Sequence, residues 1–111
     1  MALCEVPATK NPKYNTDPGN PTEDRVFLLS SAEAKQYFSD DKSRECKPSE
    51  FAIARGINYY EGDKTCWWWL RSPGNRGINA AYVYIVGRVD MDGLDVRYAS
   101  VGVRPALWLN L

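Results

Sequence analysis

The chain has 111 residues, of which 44% are hydrophobic and 25% charged. A chain of this length builds one domain around one core, which buries about two thirds of the surface exposed by the unfolded chain. Fourteen basic and fourteen acidic residues cancel to a net charge of zero, so the basic surface of a nucleic-acid-binding protein is missing. With no apolar run of spanning length and no leader pattern, we expect a soluble chain that does not insert into a membrane.

Histidine is absent, and its absence excludes several classes of active site. Nucleophilic sites that pair serine or cysteine with histidine, histidine general bases and most zinc or copper sites all need an imidazole. Cys4, Cys46 and Cys66 form neither a CxxC metal motif nor an even disulfide framework. We therefore expect no enzyme, no metal site and no cofactor. Two alternatives remain for the cysteines: a Cys46–Cys66 disulfide, or three free thiols.

Residues 1–24 predict an irregular lead-in. The segment 5–24 contains four prolines, a glycine and several Asn and Asp residues, a composition that is typical of turns. Regular structure is expected to begin after it, with a short apolar strand at 25–29. The single domain is thus predicted to span residues 25–111.

Two short helices are predicted in the first half of this domain. Ser30 followed by Glu33 is a capping box, which predicts a helix that continues through Phe38. Ser49 is the predicted N-cap of the second helix, and Gly56 is expected to end it.

The second half predicts a loop-rich, mainly antiparallel sheet, because short apolar stretches alternate there with glycine turns. The predicted strands are 67–70, 80–86, 87–89 and 101–109, and the predicted turns are 72–74 and 92–93. Pro105 marks a bulge or an edge in the last strand. Two helices packed on such a sheet give an α+β fold.

Two rigid motifs, CWWWLRSPG at 66–74 and GVRPALWL at 102–109, frame a tract of different character at 75–100. The frames contain all four tryptophans: Trp67, Trp68, Trp69 and Trp108. Rings of this size predict an aromatic core, and the alternative is that at least one of them reaches the surface as a binding platform. Arg71 and Arg104 are expected to tie the last strand to its neighbour through hydrogen bonds or ion pairs.

The framed tract has the composition of a recognition surface. Its Tyr84, Tyr98, Arg88 and Arg97 are residue types enriched at binding hot spots. Glycines at 87, 93 and 102 would let the backbone turn between them. The alternative is an ordinary solvated surface. The order DMDGLD at 90–95 does not match a calcium-binding loop.

Five separated blocks occur in an order that resembles a known family. They are RVFLLS at 25–30, CKPSEFA at 46–52, LRSPG at 70–74, AAYV at 80–83 and GVRPALWLNL at 102–111. From about Asn11 onward the chain resembles an uncharacterised domain family common in gut bacteria and their phages. That family is similar to the C-type-lectin-like fold, in the branch of formylglycine-generating enzymes and of the variable proteins of diversity-generating retroelements.

The resemblance to retroelement variable proteins implies a mechanism for changing the ligand. In those systems error-prone reverse transcription at adenines rewrites a C-terminal segment, so that asparagine-type codons become many others. Fourteen residues of this tract are of types that changes at the adenines of an asparagine codon can produce. Met91 is of a type that such changes do not produce. The predicted ligand-binding residues are Asn75, Arg76, Ile78, Asn79, Tyr84, Ile85, Arg88, Asp90, Asp92, Leu94, Asp95, Arg97, Tyr98 and Ser100.

The resemblance also implies partners and a location. We expect a protein or glycan ligand on another cell or particle, and a place in a larger virion, cell-surface or secreted protein, with oligomers allowed. The calcium-dependent sugar motifs of lectins and the active-site cysteine pair of formylglycine-generating enzymes are not matched. The alternative function is a fixed structural or assembly domain of a bacterial surface or phage tail protein. A degenerate enzyme using Cys66 is a third hypothesis.

Overall fold

The computed structural model describes residues 3–109, and in that part of the chain it contains three short helices and two antiparallel sheets. The elements are β1 (Cys4–Val6), β2 (Thr22–Asp24), α1 (Ser31–Tyr37), α2 (Asp41–Arg44), α3 (Glu50–Ala54), β3 (Trp68–Pro73), β4 (Asn79–Val83) and β5 (Val89–Asp95). The predicted α+β class is confirmed. Among these helices, none has the length and apolar character needed to cross a membrane.

Both predicted helices are present, and their capping residues are those expected. The Ser30 hydroxyl accepts the Glu33 N–H at 3.1 Å, and the Glu33 carboxylate accepts the Ser30 N–H at 2.9 Å, which completes the capping box of α1. Ser49 caps α3 through a single bond, in which its hydroxyl accepts the Ala52 N–H at 3.1 Å. Gly56 follows α3 with a φ of +92°, the left-handed conformation that glycine adopts without strain.

Helix α2 was not predicted, and it holds the β4–β5 turn. It is only four residues long. Its N-cap is Asp40, whose carboxylate accepts the Ser43 N–H at 2.8 Å. Its buried Arg44 donates from Nε to the Gly87 carbonyl at 2.8 Å. Because a single turn of helix is not stable alone, α2 depends on this contact with the turn beyond β4.

The main sheet has the order β3–β4–β5, with both pairs antiparallel. Strand β4 ends at Val83, earlier than predicted, and Gly87 belongs to the turn after it, so the predicted strand at 87–89 is wrong. The predicted turn at 92–93 is also wrong, because β5 continues through it to Asp95. Gly93 does have a φ of +82°, but it forms a bulge opposite β4 rather than a strand end.

The predicted strands at 25–29 and 101–109 are reduced to isolated bridges. Gly102 pairs in parallel with Trp68, and Ala106 pairs with Phe27. The last segment therefore changes partner between Gly102 and Ala106. Pro105 lies in this interval and has no N–H to donate to either neighbour.

The lead-in is part of the fold, and the prediction that regular structure begins after residue 24 is wrong. Strands β1 and β2 pair with each other, with Cys4 opposite Asp24. Between them, buried Asn11 donates from Nδ2 to the carbonyls of Pro73 at 3.0 Å and Met91 at 2.7 Å. The side-chain amide replaces backbone pairing, so a proline-rich segment can still dock on the main sheet.

The core lies between α1 and the inner face of the main sheet. Its buried members are Leu29, Ala34, Trp68, Leu70, Ala81 and Val83. The tryptophans divide between the two interpretations: Trp68 is fully buried, Trp67 and Trp69 are half-buried, and Trp108 is 51% exposed. The Trp68 indole N–H donates to the Arg44 carbonyl at 3.1 Å, which satisfies its buried polar atom.

Candidate functional site

Two turns lie side by side at one end of the main sheet. The turn at 74–79 joins β3 to β4, and a second turn follows β5. The Val96 N–H donates to the Ile78 carbonyl at 3.0 Å, and Asn79 pairs with Asp95. We call the exposed side chains of these turns the turn-end surface: Asn75, Arg76, Ile78, Val96, Arg97 and Tyr98.

The turn-end surface combines exposed apolar side chains with charge. Ile78, Val96 and Tyr98 are all largely exposed. The Arg97 guanidinium donates from Nε and Nη2 to the Asp95 carboxylate at 3.0 and 2.7 Å, and this pairing lowers the pKa of Asp95 to about 2. Asp95, Arg97 and Tyr98 line a shallow cavity of about 270 Å³. The turn-end surface thus presents three exposed apolar or aromatic side chains together with an ion pair.

The turn between β4 and β5 lies at the opposite end of the sheet, and its side chains stack. The ring centroids of Trp67 and Tyr84 are 5.6 Å apart, and the Arg88 guanidinium lies 5.1 Å from the Tyr84 ring. The ring centroids of Trp67 and Tyr82 are 5.7 Å apart. The predicted residues Tyr84 and Arg88 therefore form a cation–π pair continuous with the half-buried Trp67. Ile85, also half-buried, belongs to the same turn.

Asp90 supports the backbone of β5. Its Oδ1 accepts the N–H groups of Asp92 at 3.1 Å and Gly93 at 3.2 Å, and its Oδ2 accepts the Tyr82 hydroxyl at 3.1 Å. Burial, and then the Asp90 charge, raise the pKa of Tyr82 to about 12, so the hydroxyl stays protonated as the donor. Asp90 thus holds the bulge in β5 in addition to any contact with a ligand.

Asp92 and Ser100 each contact another part of the chain. The Asp92 carboxylate accepts the Tyr14 hydroxyl and, at 3.4 Å, pairs with the Lys13 ammonium. Lys13 and the start of β5 line an open, polar cleft of about 330 Å³. The Ser100 hydroxyl accepts the Asn58 amide at 3.0 Å, and Leu94 is half-buried opposite Ala80.

The fourteen predicted residues are thus distributed over four places rather than one. Asn75, Arg76, Ile78, Asn79, Asp95, Arg97 and Tyr98 are at the turn end; Tyr84, Ile85 and Arg88 are at the opposite end; Asp90, Asp92 and Leu94 lie between, and Ser100 lies beside Asn58. Sequence reasoning missed Val96, Lys13 and Tyr14. Val96 lies within the framed tract directly after Asp95, whereas the lead-in contacts of Lys13 and Tyr14 depend on the tertiary fold.

Within residues 3–109, no three His, Cys, Asp or Glu side chains are grouped so as to hold a metal ion. In the same range the three cysteines are free thiols.

A family model for DUF6273, a domain of unknown function, matches residues 1–111. The chain belongs to the DUF6273 family. No curated protein and no solved structure gives a significant match. The match includes the lead-in of this DUF6273 domain, in agreement with the packing of that segment on the main sheet.

The two arginines of the framing motifs have structural contacts in this DUF6273 domain. Arg71 donates to the Leu28 carbonyl at 2.9 Å and forms an ion pair with Glu33, so it ties β3 to α1 rather than the last segment to its neighbour. The Arg104 guanidinium stacks over the rings of Phe38 and Trp68, 4.7 and 5.0 Å from their centroids. Within residues 3–109 the buried Nη1 of Arg104 has no hydrogen-bond partner, so stacking is the contact found there in place of the expected hydrogen bonds.

Proposed function

We propose that this DUF6273 domain is a ligand-binding module that carries out no chemistry and recognises its ligand through the turn-end surface. One observation carries the proposal: Ile78, Val96 and Tyr98 are largely exposed on two turns joined by a backbone hydrogen bond. Rigidly held apolar and aromatic side chains give contact area with little loss of conformational entropy on binding.

We further propose a C-type-lectin-like fold and a role as the variable protein of a diversity-generating retroelement. In support, the core residues Trp68, Leu70 and Val83 lie on the inner face of the sheet, whereas Asn75, Arg76 and Tyr98 are exposed. Exposed turn residues can change at little cost in stability, because they fill no space in the core. A scaffold of this kind would tolerate repeated replacement of its recognition residues.

The shape of the turn-end surface favours a large ligand. Its cavity, of about 270 Å³ and lined by Asp95, Arg97 and Tyr98, is shallow. Pockets for small molecules are enclosed and usually larger, whereas flat surfaces with aromatic and arginine residues bind macromolecules. The proposed ligand is a protein or a glycan on another cell or particle.

The test uses the domain displayed in several copies on a fluorescent carrier, incubated with a panel of gut bacterial cells and immobilised glycans. Tyr98→Ala and Ile78→Ala should each weaken binding roughly tenfold or more. Their matched controls are Tyr60→Ala and Ile53→Ala, because Tyr60 is 52% exposed beside 56% for Tyr98, and Ile53 and Ile78 are both 43% exposed. Binding that is weakened equally by variants and controls would contradict the proposal.

A second candidate function is a fixed assembly domain of a larger surface or virion protein. It is favoured by an apolar groove of about 260 Å³ that includes Phe27, Tyr37 and the exposed Trp108. Exposed aromatic grooves are common at subunit interfaces. Light scattering across a concentration series separates the two functions, since an assembly domain would form oligomers that Trp108→Ala disrupts and Tyr98→Ala does not.

A further inference from the structure

Cys46 and Cys66 lie against each other where the loop after α2 meets the segment that leads into β3. The Cys66 N–H donates to the Cys46 carbonyl at 2.8 Å, and the Cys66 thiol lies 3.3 Å from the same oxygen. A disulfide requires Cα atoms within roughly 7 Å of each other, and two residues joined directly by an N–H···O=C bond meet this limit. The backbone therefore already has the separation that a bridge requires.

The surroundings of the two sulfurs make them unequal. Cys46 is half-buried and Cys66 is buried. Interaction with the Cys66 side chain lowers the pKa of Cys46 to about 6, against the opposing effect of burial and with a smaller contribution from Arg104. Interaction with the Cys46 side chain, together with burial, raises the pKa of Cys66. Deprotonation is therefore favoured at the less buried Cys46 over the buried Cys66.

Arg104 supplies the positive charge near this pair. Its guanidinium lies over Phe38 and Trp68, and among residues 3–109 its buried Nη1 has no hydrogen-bond partner. A cation held in this position stabilises a neighbouring thiolate in preference to the thiol.

We propose that Cys46 and Cys66 form a reactive dithiol that low-molecular-weight disulfides oxidise to an intramolecular disulfide, with Cys46 as the attacking sulfur. This inference is independent of the proposed ligand-binding function. The site would take compounds of the class RSSR, such as oxidised glutathione, which reach the half-buried Cys46 before they reach Cys66.

The exchange proceeds in two balanced steps. The Cys46 thiolate attacks one sulfur of RSSR, forms the mixed disulfide Cys46–S–S–R and releases RS⁻, which takes a proton from solvent. Cys66 then gives its proton to solvent and attacks the Cys46 sulfur, which forms the Cys46–Cys66 bond and releases a second RS⁻. The two protein sulfurs are oxidised, and RSSR is reduced to two RSH.

The third cysteine serves as an internal control. Cys4 is in β1, and its thiol donates to the Asp24 carbonyl at 3.2 Å, 20 residues further along the chain. It has no cysteine partner among the described contacts. We expect Cys46 to react with oxidised glutathione roughly tenfold faster than Cys4 at neutral pH, because more of it is thiolate.

The experiment treats the reduced full chain with oxidised glutathione, alkylates the remaining thiols and maps the peptides by mass spectrometry. The expected product has lost two hydrogens, retains one alkylated thiol at Cys4 and contains a linked Cys46–Cys66 peptide. Dithiothreitol should restore all three thiols. Three alkylated thiols, or a bridge that involves Cys4, would overturn the proposal.

Single variants test the order of attack. Cys66→Ser should trap glutathione on Cys46, and Cys66→Ala serves the same purpose if serine disturbs the buried position. Cys46→Ser should take up no glutathione at Cys66, whereas Cys4→Ser should form the bridge at the wild-type rate. Glutathione found on Cys66 in the Cys46→Ser variant, at the rate seen for Cys46 in wild type, would contradict the assigned roles.

Discussion

The Val96 N–H donates to the Ile78 carbonyl at 3.0 Å and joins two turns that are 18 residues apart in the sequence. This bond continues the β4–β5 pairing by one step beyond Asn79 and Asp95. As a result, side chains from the turn before β4 and from the turn after β5 form one surface. The proposed recognition function depends on this continuity rather than on either turn alone.

Asp90 should contribute to stability more than an ordinary surface carboxylate. Replacement by alanine removes the acceptor for the Asp92, Gly93 and Tyr82 donors, and should lower the free energy of unfolding by about 1–3 kcal/mol. The control is Asp63→Ala at an exposed position, with an expected change below about 0.5 kcal/mol. Urea denaturation measures both, and equal losses would show that the bulge does not depend on Asp90.

Gly87→Ala should be among the most destabilising single changes in the chain. Gly87 has a φ of +83°, and an added Cβ would collide with the backbone of Asp41 in α2. The matched control is Gly19→Ala, since Gly19 has a φ of +81° but open space around it. We expect a loss of about 1–2 kcal/mol at Gly19 from backbone strain alone and at least ~3 kcal/mol at Gly87. Thermal unfolding followed by circular dichroism measures the loss of stability in both variants. Similar losses would contradict the packing of α2 against Gly87.

Stability should fall in acid partly through Glu33. Burial raises the pKa of Glu33, but hydrogen bonds from Arg71 and the Ser30 N–H outweigh it and leave the pKa below its ordinary value of 4.5. A carboxylate with a lowered pKa stabilises the folded state above the unfolded pKa and loses this effect as the pH falls through the folded pKa. Glu33→Gln should therefore cost about 1–2 kcal/mol at pH 7 and progressively less below pH 4.5.

The control for Glu33 is Glu50→Gln, because Glu50 is also in the first turn of a helix but is exposed. Urea titrations of both variants at a series of pH values give the comparison. A Glu33→Gln deficit that is the same at pH 3 and pH 7 would contradict the role assigned to the ionised carboxylate.

Asn11 should hold the lead-in on the main sheet. Asn11→Ala removes two hydrogen bonds to the carbonyls of Pro73 and Met91, and should cost about 2–3 kcal/mol. It should also speed tryptic cleavage after Lys10 and Lys13, because the segment opens more often. Asn20→Ala, at an exposed position, is the control. Unchanged cleavage would mean that contacts other than those of Asn11 fix the lead-in.

The predictable parts of the fold are those with local chemistry. Ser30 and Glu33 define α1 through their reciprocal hydrogen bonds, and both residues are visible in sequence. Helix α2, in contrast, depends on the contact of Arg44 with Gly87, 43 residues away. At Gly93 a turn was predicted and a bulge is found, because both structures use the positive φ that glycine adopts without strain.

The candidate site was predictable by residue type but not by arrangement. Tyr98 and Arg97 are recognisable as binding residue types, and they lie on the turn-end surface. Tyr84 and Arg88 are the same two residue types, but they lie at the other end of the sheet because they belong to the turn that joins antiparallel β4 and β5. Sequence spacing gives no information on this division until the strands are paired.

The most direct test of the proposed function is sequencing of this locus across a population of its source organism, with a search of adjoining DNA for a near-copy of the segment encoding 66–111. The account predicts substitutions concentrated at turn-end positions such as Asn75, Arg76 and Tyr98 and at the other predicted residues. They should fall on adenines of the copy and spare the frames at 70–74 and 102–109. Variation that is absent or evenly spread, with no copy nearby, would contradict the retroelement account and favour a fixed binding or assembly domain.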